Sequence, residues 1–172
     1  MIVMVLDRLV SAELIRERKR LGLDRLDEVW DGVYMIMPLA NVEHQDLAGG
    51  LVAIFRTVID WQGTGRSFPV VNVSDRVDDW TRNYRCPDIA VYLADSPATL
   101  RDSYWLGGPD FAVEIVSPDD RSRDKLAFYA GVHTRELLII DRGPWRLELY
   151  RRAQVARAGW YERPEHAGRA DE

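Results

Sequence analysis

The stretch "PDFAVEIVSPDDRSRDKLAFYAGV", residues 109–132, decides the fold. Its first half, "FAVEIV", has the near-continuous apolar character of a β-strand covered on both faces, and "RDKLAFYAGV" is spaced as a helix. Glu114 interrupts the strand. A carboxylate placed there loses its water, at a cost of several kcal/mol unless it is paired, protonated or bound to a cation.

Working outward, "RELLIID" (135–141) and "RLELYRR" (146–152) read as strands on either side of the turn "RGPW". Upstream, "CPDIAVYLA" (86–94) is a second strand that opens on Pro-Asp, as the first does. Before it lie "SFPVVNV" (67–73), read as one strand, and "SDRVDDWTRNYR" (74–85), read as a charged loop. "NVEHQDLAGGLVAIFRTVIDWQG" (41–63) has apolar residues at 47, 51, 54, 55 and 58, one face of a helix, with Asn41 as N-cap. His44 lies on that inward face. "DEVWDGVYMIMP" (27–38) is a hairpin about Asp31-Gly32, and "SAELIRERKRLG" (11–22) a short helix whose basic side, Arg16, Arg18, Lys19 and Arg20, reads as solvated. The expected order after that helix is β-β-α-β-β-β-α-β-β. This is a mixed α/β (α+β) fold with an N-terminal β-hairpin and a central sheet flanked by helices.

The chain has 172 residues, 47% hydrophobic and 30% charged, which suits one soluble domain over residues 1–152. From Ala153 to Glu172 that character is lost, and a poorly ordered tail is expected. With 23 basic and 28 acidic residues the net charge is −5, so any nucleic-acid surface must be a local patch. Cys86 is the only cysteine and has no internal partner, which points to a reducing, cytoplasmic setting. "MIVMVL" is too short for a signal or a membrane span, so no membrane association is expected.

Strand alternation puts Asp88, Ala90 and Tyr92 on one face and Asp110, Ala112, Glu114 and Val116 on one face. If the two strands are neighbours, Asp88 and Glu114 converge. Two acids brought together at the edge of a buried sheet either share a proton or hold a cation, and a hard divalent ion suits them. Lys125 follows on the next helix, with Tyr129 one turn on. Residue by residue, a plain salt bridge from Lys125 to Glu114 and a catalytic role both remain open. Asp110 reads as a cap or turn residue, and Asp119 and Asp120 as helix-start residues.

At these residues the chain resembles the Uma-two endonuclease family, within the PD-(D/E)xK restriction-endonuclease-like superfamily. The likeness covers "DEVWDGVYMIMP", "EHQDLAGGL", "CPDIAVY", the stretch at 109–132 and "RELLIIDRGPWRLELYR". It implies a restriction-endonuclease-like mixed sheet and metal-dependent hydrolysis of DNA phosphodiester bonds. By the same likeness Asp88, Glu114 and the carbonyl of Ile115 would hold Mg²⁺ (or Mn²⁺), Lys125 would be the active-site lysine, and His44 or Glu43 would complete the site. The superfamily lysine normally stands two residues after the glutamate, where this chain has Val116, so Lys125 serves only if its helix packs over the Glu114 strand. Arg121, Arg123, Arg151 and Arg152 are the basic residues expected near the site. DNA is the expected partner, and a homodimer would allow two strands to be cut. The alternative is a catalytically silent nuclease-fold module that binds nucleic acid or a protein.

Overall fold

The computed structural model describes residues 2–117, 121–152 and 161–162. The chain opens with strand β1 (Val3–Val5) and helix α1 (Arg8–Leu21). Asp7 caps α1 by accepting from the Leu9 and Val10 N–H groups at 2.9 and 3.0 Å, and Gly22 ends it in the left-handed region at φ 66°. Strands β2 (Glu28–Trp30) and β3 (Val33–Ile36) form the expected hairpin, with Asp31 and Gly32 both at positive φ. Helix α2 (Val42–Phe55) follows, capped by Asn41, whose side chain accepts from the His44 N–H at 2.9 Å. It runs on through a π-helical turn, Arg56–Asp60.

Strands β4 (Gly65–Pro69), β5 (Val73–Ser74), β6 (Tyr84–Arg85), β7 (Ile89–Leu93), β8 (Thr99–Leu100), β9 (Trp105–Leu106) and β10 (Phe111–Ile115) come next. A 3₁₀ turn (Ser122–Lys125) leads into α3 (Leu126–Gly131), then β11 (Glu136–Arg142), β12 (Trp145–Arg152) and β13 (Tyr161–Glu162). Two mixed sheets result. One is six-stranded in the order β13-β12-β11-β10-β7-β4; the other is seven-stranded, β1-β3-β2-β6-β5-β9-β8. In the first, only β10 and β11 run parallel.

The six-stranded sheet is the central layer. On one face Ile89, Val91, Val113, Ile115 and Ile140 pack against Leu47, Leu51 and Phe55 of α2. On the other, Ala112, Leu137 and Ile139 meet Tyr129 of α3 and Val73 of the second sheet. Ala90 and Tyr92 meet Trp105, whose ring stacks on Tyr92 with centroids 3.7 Å apart. Layers of apolar contact on both faces explain why these strands read as continuous apolar runs.

The stretch 67–73, expected as one strand, is divided between the sheets. β4 ends at Pro69, which has no N–H for a ladder, and Val70 turns the chain at φ 49°, a conformation uncommon for a β-branched residue. The next strand, β5, then joins the second sheet. The charged loop at 74–85 likewise contains a 3₁₀ turn, Trp80–Arg82, and β6. Arg18, expected on a solvated face, instead donates to the buried Asp27 through Nε at 2.5 Å and to the Leu23 carbonyl at 2.6 Å, pinning α1 to the hairpin. Asp119, Asp120 and the tail from Ala153, apart from β13, lie outside the described residues.

Candidate active site

β7 and β10 are antiparallel neighbours, with Ala112 opposite Ala90 and Val113 opposite Ile89. One step further along this register brings Glu114 beside Asp88, as alternation requires. The Ile115 N–H donates to Asp88 Oδ2 at 2.7 Å, which fixes the carboxylate against the strand that carries Glu114. Val70 helps frame the same corner, since its N–H donates to the Asp88 carbonyl at 3.2 Å.

Glu114 is 3% exposed, so its partners decide its state. Lys125 Nζ lies 3.1 Å from Oε1 and 2.9 Å from Oε2, and the Tyr129 hydroxyl donates to Oε1 at 2.5 Å. The 3₁₀ turn and α3 therefore do pack over the Glu114 strand, which places Lys125 where its sequence position alone could not guarantee. Glu28 of β2 also approaches Lys125 Nζ, at 2.9 Å, and accepts from the Cys86 N–H at 2.8 Å and the Trp30 indole N–H at 2.6 Å.

The cluster is rich in acid. Burial pushes the Glu114 carboxyl up to about 8; Lys125 and Tyr129 oppose the rise, and Asp88 and Glu28 reinforce it. Burial alone would lower Lys125, but the two glutamates hold it above its ordinary value, so the ammonium stays charged. Burial likewise pushes the Tyr129 hydroxyl and the Cys86 thiol up, and both keep their protons at neutral pH.

His44 Nε2 stands 3.2 Å from Asp88 Oδ1, and its Nδ1, though buried, has no hydrogen-bond partner among the described residues. Glu43 points elsewhere: it is paired with Arg142 Nη1 at 2.8 Å and does not line the cleft. Asp88, Glu114, Ile115, Lys125, His44 and Glu28 line one cleft of about 80 Å³. That volume takes a few waters or a hydrated ion, and is too small for a base.

Could the donors hold a divalent ion? Among the described residues no group of three or more His, Cys, Asp or Glu side chains is arranged to hold a metal. Asp88 and Glu114 on neighbouring strands face the cleft, with Glu28 and His44 beside them. The carboxylate oxygens of this set suit Mg²⁺ or Mn²⁺, which keep most of their waters, better than a softer ion.

Glu28 is the residue that reading the sequence missed. Its signal was present but weak: two consecutive acids, Asp27 and Glu28, at the start of an apolar hairpin strand, both 1% exposed. The expected basic patch is largely neutralised. Arg121 pairs with Asp124 at 2.6 Å, Arg123 with Asp141 and Glu148 at 3.0 and 2.6 Å, and Arg151 with Glu136 at 2.8 Å. Asp110, expected as a cap or turn residue, is a buried link between distant segments, accepting from the Leu93 N–H at 2.8 Å and pairing with Arg135 Nε at 3.0 Å.

A buried acid pair on adjacent strands of a mixed sheet, with a lysine delivered from the following helix, defines a nuclease-fold protein of the restriction-endonuclease-like class. Residues 23–169 match the model of the Uma2 family, described as "Putative restriction endonuclease", and the chain belongs to that family. Among solved structures it is similar to "a putative nuclease belonging to DUF820 from Anabaena variabilis ATCC 29413", with a TM-score of 0.63 and 19% identity. The match spans 81% of this chain and 76% of that one, and at this identity it carries the fold alone. No curated protein matches.

Proposed function

We propose that the protein is a metal-dependent endonuclease that hydrolyses DNA phosphodiester bonds. The observation that carries this reading is Glu114, buried in mid-strand beside Asp88 with Lys125 seated on it. Asp88, Glu114 and the Ile115 carbonyl would hold Mg²⁺ or Mn²⁺. When bound there, the ion would supply a water of lowered pKa and neutralise charge on the phosphate.

The chain's own groups then have distinct tasks. The Ile115 N–H keeps one Asp88 oxygen engaged and so sets the direction of the other. Lys125, held by Glu28 and Glu114, is a fixed cation beside the attacked phosphate and can orient the water that attacks it. His44, against Asp88, completes the wall of the site and can steady the carboxylate. Two copies acting together would cut both strands, and a cytoplasmic location would suit the lone Cys86 thiol. Among the described residues no helix is long and apolar enough to cross a membrane.

One observation favours a second reading, a catalytically silent module that binds nucleic acid or a protein. Both Glu114 oxygens are already engaged by Lys125, so the cluster is satisfied without an ion. Nicking of supercoiled plasmid with Mg²⁺, Mn²⁺ or EDTA, run beside Asp88→Ala and Glu114→Ala, separates the two. Metal-dependent nicking lost in both variants supports the endonuclease. No nicking by the parent, with Mn²⁺ binding absent by calorimetry, favours the module.

A further inference from the structure

The seven-stranded sheet has a second face, turned away from the cleft. In β2, Glu28 and Trp30 point to the cleft side, so Val29 points to the other. There it stands opposite Tyr34 of β3 and Tyr84 of β6. Helix α1 lies over this face, fastened by Arg18 to Asp27. Between α1, the hairpin turn and the 3₁₀ turn at Trp80–Arg82 is a groove of about 420 Å³, within the range of small-ligand pockets and far larger than the cleft.

Its lining combines two chemistries. Tyr84 and Trp80 supply aromatic surface with the buried Tyr34 beneath them, and Trp80 is held by stacking on Tyr104 at 4.7 Å with an edge contact to Tyr84 at 5.3 Å. Lys19, Arg25 and Arg82 supply three cations, and among the described residues none of them makes an ion pair. This sets them apart from Arg18, Arg20 and Arg123, each matched to a carboxylate. Asp24 is the one acid in the lining, and Asn72 adds an amide with donor and acceptor.

Unmatched cations beside rigid aromatics suit a ligand that is both anionic and planar. An inorganic anion would leave the aromatic wall unused, and an apolar molecule would leave three charges uncompensated. We infer that this groove is a nucleotide-binding site, taking a base against Trp80 and Tyr84 and a phosphate at Lys19, Arg25 and Arg82. The bound unit is either a free mononucleotide or one nucleotide of a single strand. The inference stands apart from the nuclease reading, because nothing in it requires the cleft to cleave or to hold an ion. If both hold, strand β2 connects them, with Val29 in one site and Glu28 in the other.

The test is calorimetric titration of the full chain in EDTA, which silences metal-dependent chemistry, with adenosine monophosphate, a short oligothymidylate and inorganic phosphate as probes. Saturable binding of a nucleotide probe is expected. It should weaken by roughly tenfold or more in a Lys19→Glu, Arg25→Glu double variant and flatten with added salt. Both positions are exposed, so charge reversal leaves the core intact, and an unchanged melting temperature checks this. Trp80→Phe should weaken nucleotide binding while leaving any phosphate binding alone. Tighter binding of the oligonucleotide than of the mononucleotide assigns the site to a strand, and equal binding to a free nucleotide. No saturable binding of either nucleotide, affinity unchanged by the double variant, or inorganic phosphate bound as tightly as the nucleotides would each overturn the inference.

Discussion

Two ionic clusters, each built on a buried glutamate, contrast instructively. Around Glu148, two acids meet two bases: Arg123 and Arg146 approach its Oε1 at 2.6 and 2.9 Å, Asp141 shares both arginines, and Tyr150 donates at 2.5 Å. Burial would raise Glu148, but these partners overcome it and hold the carboxyl at about 2. Around Glu114, Glu28 and Glu114 share one lysine with Asp88 close by, and the carboxyl is pushed the other way. Both glutamate side chains are nearly shut off from solvent, but Glu114 sits deep in the fold whereas Glu148 lies among half-exposed arginines, so burial raises Glu114 far more. Charge balance adds to the contrast. A matched cluster is a brace, whereas an acid excess raises the gain from any added cation.

If that contrast is right, removing the cation from the acid-rich cluster should cost most. Lys125→Met leaves Glu28 and Glu114 facing each other in a buried site, and should lower unfolding free energy by about 3–5 kcal/mol in urea titration. A loss near zero would mean that the cluster reorganises without its lysine. Next comes the proposed metal binding. Mg²⁺ or Mn²⁺ at a hundredfold excess over its Kd should stabilise the parent by about 2.7 kcal/mol, and Asp88→Asn should abolish most of that gain in thermal melts. An equal shift in both proteins would put the ion elsewhere.

The matched cluster should behave more mildly. Glu148→Gln keeps the shape but not the charge, and about 1.5 kcal/mol is the expected loss. Its pH dependence follows from the direction of the shift. The folded-state value of about 2 lies below the ordinary carboxyl value of 4.5, so the contribution is fully present above about pH 4.5 and is lost as pH falls towards 2. Acid unfolding curves of parent and Glu148→Gln should therefore converge over that window, and parallel curves would contradict the assignment. Smallest of all, Arg146→Ala removes a side chain that is 45% exposed, and should change stability by less than about 0.5 kcal/mol.

How much of this was legible beforehand depends on how local each signal is. The Asp31-Gly32 turn, the Asn41 cap and the inward face of α2 are written within a few residues of where they act, and each was readable. The convergence of Asp88 and Glu114 needed only alternation and the adjacency of two strands. Glu28 needed more: its partner Lys125 lies far down the chain on another layer, and no local pattern links them. The two-residue strands β5, β6, β8 and β9 are too short to show a period, and β5 pairs in parallel with β9 across an intervening stretch of chain. The break at Pro69 was signalled, since proline cannot continue a ladder, but a run of valines masked it. Arg18 was misread because a basic run on a helix says nothing about which member finds a buried acid.

Lys125 also joins two layers of the fold, because Glu114 belongs to the six-stranded sheet and Glu28 to the seven-stranded one. In evolutionary terms this ties two selections together. A chain of this fold without nuclease activity would still need the lysine and both glutamates to keep its sheets joined. Were these three residues kept among relatives, that alone would be evidence of a maintained fold, and evidence of a working enzyme would have to come from Asp88 and His44, which stitch no layers together through that lysine.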